Sequence, residues 1–413
     1  MLEPKRTGRH VGPRNEALTL TNLGPIRSLT IHPRALTVII GPQASGKSLV
    51  AQSLYVFRSL ESLVRERYRP DIAEGERWAE VLLQDVLDDI RGVAFGYFAR
   101  GTARLTYRAA TPVDIPRSPA WSFTVNRSNR RVFFGKQGWA LLRAIQQWIA
   151  MWTEDPSKLR GGRYPSEIFI PTERSTFTRL GSTRPEVLYD PVQPQPLRTF
   201  ARVLHRAGLL YDMSRRTWLQ GGPDVLVPRS YPIGDVLDLG RTALQGEAYM
   251  PTSGAQLWKW RVGNENGGFN RHPIPIEAIA SGQAEAWPIF VVCAVYSALR
   301  EGVTFYIEEP ETHLHPRALV TMVNAFVHLL KNKSKLVITT HSPYFLYALD
   351  NAILESRGDL KDSIAAYRLT RDGACYDIVD HDSGLVDAEE LEEVADELGG
   401  RFEELLDEGG SAS

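Results

Sequence analysis

One run of residues near the start of the chain restricts its fold more than any other feature. The apolar residues 36–40 lead into Gly41-Pro42-Gln43-Ala44-Ser45-Gly46-Lys47-Ser48, and residues 48–68 follow with a helical pattern. A buried strand, a glycine-rich turn and a helix in this order form the pattern of a phosphate-binding loop, or P-loop. Its backbone N–H groups would make a concave anion site at the positive end of the helix. The sequence therefore predicts an α/β chain with a P-loop at the edge of a mostly parallel sheet.

Two side chains of the P-loop carry predicted chemistry. Lys47 is placed to reach the β- and γ-phosphates of a nucleotide, and the Ser48 hydroxyl is placed to ligate Mg²⁺. ATP and Mg²⁺ are therefore the expected cofactors, and Gly41 and Gly46 would let the backbone approach the phosphates closely. The alternative is a glycine-rich turn that fits the pattern by chance, and the strand and helix on either side argue against it.

A second apolar run supplies carboxylates. Residues 303–307 are followed by Glu308-Glu309-Pro310-Glu311, which is the form of a Walker B segment. We expect Glu308 at the Mg²⁺ position and Glu309 beside the attacking water, where it would polarise that water. A solvated acidic turn is the alternative, but two adjacent carboxylates at the end of a fully apolar strand favour the site.

Two further segments follow the order of an ATPase of the ABC type. Ser281, Gly282 and Gln283 open a long apolar helix ahead of the Walker B strand, where they could present a hydroxyl and free N–H groups to an anion. Alone, this would be an ordinary helix cap. His341 ends the next apolar strand, from which it could contact the γ-phosphate and orient Glu309, although a lone histidine is more often structural.

The ordered set GPQASGKS, ASGQAE, FYIEEPETHLHP and ITTHSP resembles the ABC-type ATPases. Within them, EEPETHLHP and TTHSPYFL are most similar to the OLD (overcoming lysogenization defect) family and its relatives in the anti-phage systems PARIS, Septu and Gabija. The similarity covers residues 16–52 and 272–350. It implies a P-loop NTPase with an ABC-type ATPase head and a mixed β-sheet core, in which ATP on one subunit is closed by Ser281 and Gly282 of a second copy. A homodimer or a higher homo-oligomer is expected.

The chain departs from the wider ABC class at two places. Glu308 stands where an aspartate is usual, which leaves open whether the metal is contacted directly or through water. Gln43 and Ala44 replace a commoner Asn-Gly pair, which should preserve the anion site.

Composition shifts along the chain predict five segments. They are residues 1–68 (first half of the ATPase core), 69–165 (inserted α+β lobe), 166–270 (helical and hairpin lid region), 271–350 (second half of the core) and 351–413 (strands and an acidic amphipathic tail). The stripe expected on the tail helix comprises Leu391, Val394, Leu398, Phe402 and Leu405.

Other candidate residues have weaker support. The segment from Ile168 to Arg174 is similar to a strand-Pro-x-x-Arg segment of the same relatives; Arg174 could sense phosphate, bind across the dimer or form a surface salt bridge. Gln84 is only a candidate for the glutamine that follows the P-loop in ABC proteins. A metal at His313 and His315 is disfavoured, because no carboxylate or thiol cluster supports it.

The segment Asp380-His381-Asp382 resembles a TOPRIM nuclease motif but is interpreted as a turn, because too few residues follow His341 for such a domain. We therefore expect any nuclease to be a separate effector chain.

Charge and composition restrict the partners. Residues 387–408 contain eleven acidic residues and one basic residue, a charge of −10; since the whole chain is −1 and residues 409–413 are uncharged, residues 1–386 carry +9. This surplus permits nucleic-acid binding without requiring it. The longest apolar run, residues 287–299, is too short to span a bilayer, and two distant cysteines fit a reducing compartment. No membrane partner and a cytoplasmic location are expected.

These features together predict a slow ATP hydrolase that serves as a switch or scaffold for a separate effector, such as a nuclease or toxin, in prokaryotic defence. An ATP-dependent DNA clamp in repair or replication is the alternative, although the chain lacks the long heptad arm of the repair ATPases. A scaffold that binds ATP without turnover is disfavoured by Glu309.

Overall fold

The computed structural model describes residues 16–68, 78–110, 120–155, 157–158, 164–176, 193–220, 233–249, 258–263, 268–270, 272–387, 397 and 399–402, with side chains at 137, 211–220 and 233 excepted. The strands in chain order are β1 (Ala17–Leu23), β2 (Ile26–Ile31), β3 (Leu36–Ile40), β4 (Ala99–Arg108), β5 (Trp121–Asn126), β6 (Val132–Phe133), β7 (Glu167–Ile170), β8 (Gly246–Tyr249), β9 (Lys259–Val262), β10 (Ile274–Pro275), β11 (Thr304–Glu308), β12 (Lys335–Thr340), β13 (Ile364–Leu369) and β14 (Cys375–Asp377).

The α-helices in chain order are α1 (Lys47–Arg67), α2 (Trp78–Arg91), α3 (Trp139–Glu154), α4 (Gln195–Gln220), α5 (Ile233–Leu244), α6 (Ser281–Leu299), α7 (Pro316–Lys331) and α8 (Pro343–Glu355). Of the tail stripe predicted from the sequence, Phe402 is exposed and the other four residues lie outside the described residues.

A mixed sheet forms the centre of the molecule. Its strand order among the described residues is β14-β13-β3-β12-β11-β7. The strands β13, β3, β12, β11 and β7 run parallel, and β14 pairs antiparallel at one edge. The predicted α/β class with a mixed β-sheet core is confirmed.

The central strands are apolar because both faces of the sheet are covered. Every residue of β3 and of β11 is buried. Alternate side chains enter two separate cores: Val38 and Phe305 pack on one face, whereas Ile39 and Tyr306 pack on the other. A strand buried on both faces needs a continuous apolar run rather than an alternating one, which is the pattern that residues 36–40 and 303–307 show.

Different layers cover the two faces. The first core contains side chains of the helices α4 to α8. The second contains α1, α2, α3 and an antiparallel sheet with the strand order β2-β1-β4-β5-β6. A smaller sheet, β10-β9-β8, lies beside the first core, which its Trp260 enters.

The antiparallel sheet joins the start of the chain to the predicted lobe. β1 pairs with β2 through the predicted tight turn, and its other edge pairs with β4 over Ala17 to Leu23. One hydrogen-bonded sheet therefore extends across residue 68, where the sequence placed a segment boundary. The division into five segments remains a prediction.

Within the described ranges, no helix combines the length and the hydrophobicity needed to cross a bilayer.

The double-sided burial of β11 gives a stability prediction. Phe305 is 0% exposed in the middle of the sheet, so Phe305→Ala is expected to lower the free energy of unfolding by about 3–5 kcal/mol, because it leaves a cavity in the core. Guanidinium unfolding followed by circular dichroism would measure this loss. Val320→Ala is the control: Val320 is 45% exposed on α7, and the expected change is below about 0.5 kcal/mol. Equal losses in the two variants would contradict the packing described above.

Candidate functional site

Parallel pairing brings the ends of four strands to one edge of the sheet. The register places Thr340 beside Ile40, Glu308 beside Thr339, and Ile307 beside Ile170. The segments that follow β3, β12, β11 and β7 therefore leave the sheet next to one another. Binding sites of parallel sheets form at this edge, and it is where the sequence places the P-loop, His341, the glutamates and Arg174.

The P-loop has the backbone form of an anion site. Ala44 and Gly46 are left-handed, with φ of 64° and 100°, and Gly41 has φ of 148°. Left-handed residues next to right-handed ones turn successive N–H groups towards one point. A Cβ at Gly41 would lie 2.2 Å from the Leu369 carbonyl oxygen at the end of β13, so glycine is required there. The buried Ser45 hydroxyl has no hydrogen-bond partner, which leaves one polar atom of the loop available to a ligand.

Lys47 lies over the loop. Its Nζ donates to the carbonyl oxygens of Gly41 at 2.8 Å and Pro42 at 3.0 Å. Burial lowers the pKa of Lys47, and the negative charges of Glu309 and Glu311 oppose that shift. A cation already close to two carboxylates and to the loop backbone is placed as the predicted phosphate ligand should be.

Glu308 is a buried carboxylate at the end of β11. The Ser48 hydroxyl bonds to it, Gln52 Nε2 lies 3.5 Å from Oε1, and Thr172 Oγ1 lies 3.4 Å from Oε2. Burial raises the pKa of Glu308 to about 7. The side chains that contact the Glu308 carboxylate directly are thus neutral, and the positive charge of Arg91 opposes the raised pKa. A hydroxyl beside a buried carboxylate is a donor set that suits Mg²⁺, and Ser48 and Glu308 therefore fit the predicted metal position.

Glu309 has an unusual backbone. Its φ is 43°, in the left-handed region that costs energy for a residue with a side chain. Hydrogen bonds hold it there: its N–H donates to Thr339 O at 2.9 Å, and its carbonyl accepts from Thr312 Oγ1 at 2.8 Å and Arg174 Nη2 at 2.7 Å. The side chain is one-third exposed, and its Oε1 lies 3.8 Å from His341 Nδ1. The Glu309 carboxylate and the His341 ring are thus neighbours, while the orienting role of His341 remains a prediction.

Glu311 is a site residue to which the sequence interpretation gave no role. Its Oε1 accepts from Thr340 Oγ1 and from the His341 N–H at 2.8 Å each, and lies 3.2 Å from His341 Nδ1. Its other oxygen, Oε2, is buried without a hydrogen bond. Glu311 therefore holds the histidine loop against the Walker B segment, and the run Glu308-Glu309-Pro310-Glu311 was the indication of it in the sequence.

The start of α6 faces solvent. Ser281 is exposed and Gly282 is half-buried. A Cβ at Gly282 would lie 2.5 Å from the His313 carbonyl oxygen, so this helix start packs directly against the loop after Glu309. Gln283 Oε1 accepts from the Ala280 N–H at 3.1 Å, and Nε2 donates to Leu244 O at 2.7 Å. These bonds give Gln283 a capping role, whereas its predicted contact with nucleotide remains a prediction.

Arg174 occupies none of the three positions that the sequence left open. It is 0% exposed, which excludes a surface salt bridge. Its Nε donates to Glu285 O at 2.8 Å, Nη1 to Pro171 O at 3.0 Å and Glu308 O at 2.7 Å, and Nη2 to Glu309 O at 2.7 Å. All three nitrogens are thus bonded to the chain's own backbone, so the guanidinium is not presented to phosphate or to a partner surface.

The glutamine near Glu308 is Gln52 rather than Gln84. Gln84 bonds to Asp88 Oδ1 and to the Val132 N–H, contacts that belong to the lobe. Gln52 instead reaches Glu308, and its Oε1 accepts from Arg91 Nη1 at 2.5 Å. Gln52 stands four residues after Ser48 on α1, and residues with this spacing share one face of a helix, so the sequence did contain the indication.

His315 and Asp380, which had weaker support in the sequence, form hydrogen bonds that give them structural roles. His315 Nδ1 accepts from the Arg317 N–H and caps α7. Asp380 forms a tight turn through bonds to the Asp382 N–H and the Ser383 hydroxyl. Within the described part of the chain, no group of three or more His, Cys, Asp and Glu side chains is arranged to hold a metal ion.

Comparison with known proteins agrees with the class of this site. Residues 257–346 match a family described as AAA ATPase domain, and no curated protein matches the chain. The P-loop geometry and this match support a P-loop ATPase; the ABC type and the OLD assignment remain predictions.

Solved structures with similarity to this chain include heads of SMC proteins. One is an Smc head bound to the C-terminal winged-helix domain of ScpA (13% identity, 88% of this chain and 96% of that chain, TM-score 0.42). A second is the SMC head domain from Thermotoga maritima (10% identity, 88% and 98%, TM-score 0.37). A third, derived from Pyrococcus furiosus, is an Smc head with an extended coiled coil bound to the C-terminal domain of ScpA (12% identity, 92% and 98%, TM-score 0.42). Such TM-scores carry no residue assignment.

The close approach at Gly282 can be tested. Gly282→Ala is expected to lower the free energy of unfolding by about 1–3 kcal/mol, because the added methyl group meets a backbone oxygen that cannot rotate away. Calorimetry would measure the loss. Gly234→Ala is the matched control, since a Cβ there meets no atom within 4 Å. The contact is refuted if the two variants are equally stable.

Proposed function

We propose that this chain is a Mg²⁺-dependent ATP hydrolase whose nucleotide-binding site is completed by a second copy of the chain. The observation that supports it is the meeting of Lys47, Ser48, Glu308 and Glu309 at one sheet edge, while Ser281 at the start of α6 is exposed to solvent. The first N–H groups of a helix have no partner within it and favour an anion. In this proposal, one copy binds the triphosphate with its P-loop and the second copy covers it with Ser281 and Gly282.

Each residue of the edge has a chemical role in this proposal. Lys47 binds the β- and γ-phosphates, and Ser48 and Glu308 hold Mg²⁺, which when bound draws charge from the phosphate oxygens. Glu309 accepts a proton from the attacking water. His341, held by Glu311, contacts the γ-phosphate and keeps the Glu309 carboxylate in place.

The requirement for a second copy favours a switch over a metabolic enzyme. A site that is complete only after association ties turnover to assembly, so we expect slow hydrolysis. We further propose that the assembled form holds or releases a separate effector, such as a nuclease or toxin, in anti-phage defence. This finer part rests on the similarity of EEPETHLHP and TTHSPYFL to the OLD family and its relatives.

A mixing experiment tests the shared site. Lys47→Ala removes the phosphate ligand and Ser281→Arg blocks the cap, so each variant alone should be inactive. In an equal mixture that exchanges subunits, half of the dimers are mixed, and each contains one complete site. Phosphate release should therefore recover to a measurable level, at most about a quarter of the wild-type rate when the two sites act independently.

The control for this experiment mixes Lys47→Ala with Glu309→Gln, two changes on the same side of the site. That mixture should stay inactive, because no pairing restores a complete site. Recovery in the control, or none in the first mixture, would show that the cap does not come from a second copy.

A second candidate function, an ATP-dependent nucleic-acid clamp, is favoured by the charge of the antiparallel sheet. Residues 17–31, 92–110 and 120–136 contain no acidic residue. Their exposed basic side chains are Arg27, Arg100, Arg104, Arg108, Arg127, Arg130, Arg131 and Lys136. Two of them, Arg104 and Arg108, alternate with buried residues on β4 and so share its outer face, and Arg100 is exposed nearer the start of the same strand. A cationic face without carboxylates suits a phosphate backbone.

The clamp can be tested by salt dependence. Replacing Arg100, Arg104 and Arg108 by Gln should weaken duplex DNA binding in the presence of ATP, and should reduce the slope of log K against log[salt] by about 2.7, since each phosphate contact contributes about 0.9. Fluorescence anisotropy at several salt concentrations measures both quantities. Replacing the exposed residues Arg317, Lys333 and Arg357 by Gln is the control. Equal slopes for the two triple variants would exclude this face as the contact.

A further inference from the structure

The fully buried guanidinium of Arg174 joins three segments of the chain. It bonds to the end of β7 through Pro171, to the Walker B segment through the carbonyls of Glu308 and Glu309, and to α6 through the carbonyl of Glu285. The Glu285 carboxylate adds an ion pair, with Oε2 3.5 Å from Nε. One side chain therefore contacts both the segment that carries the predicted catalytic carboxylate and the helix whose start is the predicted cap.

This arrangement is poorly explained by stability alone. Burial lowers the pKa of Arg174, and the negative charge of Glu285 is the main influence that opposes the shift. A buried charge is costly to desolvate, and an apolar side chain of similar volume often serves stability as well or better. An arginine differs in its rigid planar fork, which fixes the directions of several acceptors at once. Here those acceptors are main-chain carbonyls of functional segments.

At the Walker B end, Arg174 supports a strained residue. The left-handed conformation of Glu309 persists only if its surroundings hold it. Arg174 Nη2 is one of the donors to the Glu309 carbonyl, and Nη1 fixes the carbonyl just before it. A shift of the guanidinium would therefore release the peptide that aims the Glu309 carboxylate at His341.

At the other end, Arg174 contacts α6 one turn after Ser281. Glu285 is 7% exposed in its side chain, and its Oε2 has no hydrogen bond. The close contact of Gly282 with the His313 carbonyl adds a second link between this helix start and the Walker B loop. Displacement of the start of α6 is therefore transmitted to Arg174 rather than absorbed by a flexible connection.

We infer that Arg174 is a positioning residue that couples the cap carried by one chain to the Glu309 of that same chain. The inference rests on the proposed function, in which the cap closes over the nucleotide of the other copy. Closure at one site of the dimer would then set Glu309 at the second site. ATP hydrolysis should accordingly be cooperative, with a Hill coefficient between about 1 and 2 for two coupled sites.

Arg174→Lys tests the coupling, because it keeps the charge and removes the fork. We expect unchanged ATP affinity in the dilute monomer, kcat lowered by about 100-fold through misplacement of Glu309, and a Hill coefficient of about 1. Arg58→Lys is the matched control: the Arg58 side chain is only 9% exposed, but it bonds to Glu16 and to the Tyr306 hydroxyl. That control should lose stability and keep the wild-type cooperativity, which separates positioning from general support of the fold.

A second variant covers the case in which Arg174→Lys does not fold. Glu285→Gln leaves the Glu285 main-chain carbonyl in place and removes only the carboxylate charge, so it should fold, keep its ATP affinity and lose cooperativity. Wild-type Hill coefficients and kcat in the folded variants would overturn the role of Arg174. If the wild-type chain fails to associate with ATP, measured by light scattering on Glu309→Gln, the proposed function itself fails, and this outcome is separate from the first.

Discussion

The hydrogen-bonded register of β3, β12, β11 and β7 is the constraint on which the rest of the structure depends. The carboxyl ends of parallel strands lie at one edge of the sheet, so the residues that follow those strands are close in space although they are far apart in sequence. This pairing brings together the segments that contain residues 47, 174, 308 and 341. The two-sided apolar burial of these strands fixes the register, because a slip by one residue would exchange the two cores.

Charge is distributed unevenly around that edge. Glu308, Glu309 and Glu311 lie close together. The cations whose charges act on them include Lys47, Arg91 and Arg174. Lys47 is the predicted phosphate ligand and bonds to carbonyls of the P-loop itself, whereas Arg174 bonds to carbonyls of three other segments. The raised pKa of Glu308 reflects the cost of burying a carboxylate at that edge, and the positive charge of Arg91 opposes the shift.

Much of this arrangement was accessible from sequence, for identifiable reasons. The strands β3, β11 and β12 were predicted because continuous apolar runs mark strands buried on both faces, and the P-loop was predicted because its turn chemistry is distinctive. The elements β8, α5 and α8 were not predicted, since short or mixed patterns do not separate helix from strand. Strands were expected within residues 351–413, but the sequence did not give the bounds of β13. The role of Arg174 was also out of reach. No sequence pattern distinguishes an arginine that binds backbone carbonyls inside the protein from one that binds an anion at its surface. Gln52 and Glu311 were within reach, the first by helical spacing from Ser48 and the second by its place in the acidic run.

The contact between Arg91 and Gln52 has a consequence for how such a chain can diversify. Arg91 ends α2, a helix of the lobe, and through Gln52 it touches the same carboxylate as Ser48. Substitutions around α2 would therefore change the rate constant of the proposed ATP hydrolysis while every motif residue stays the same. Two chains with identical motifs could in this way come to differ in the rate of the proposed hydrolysis.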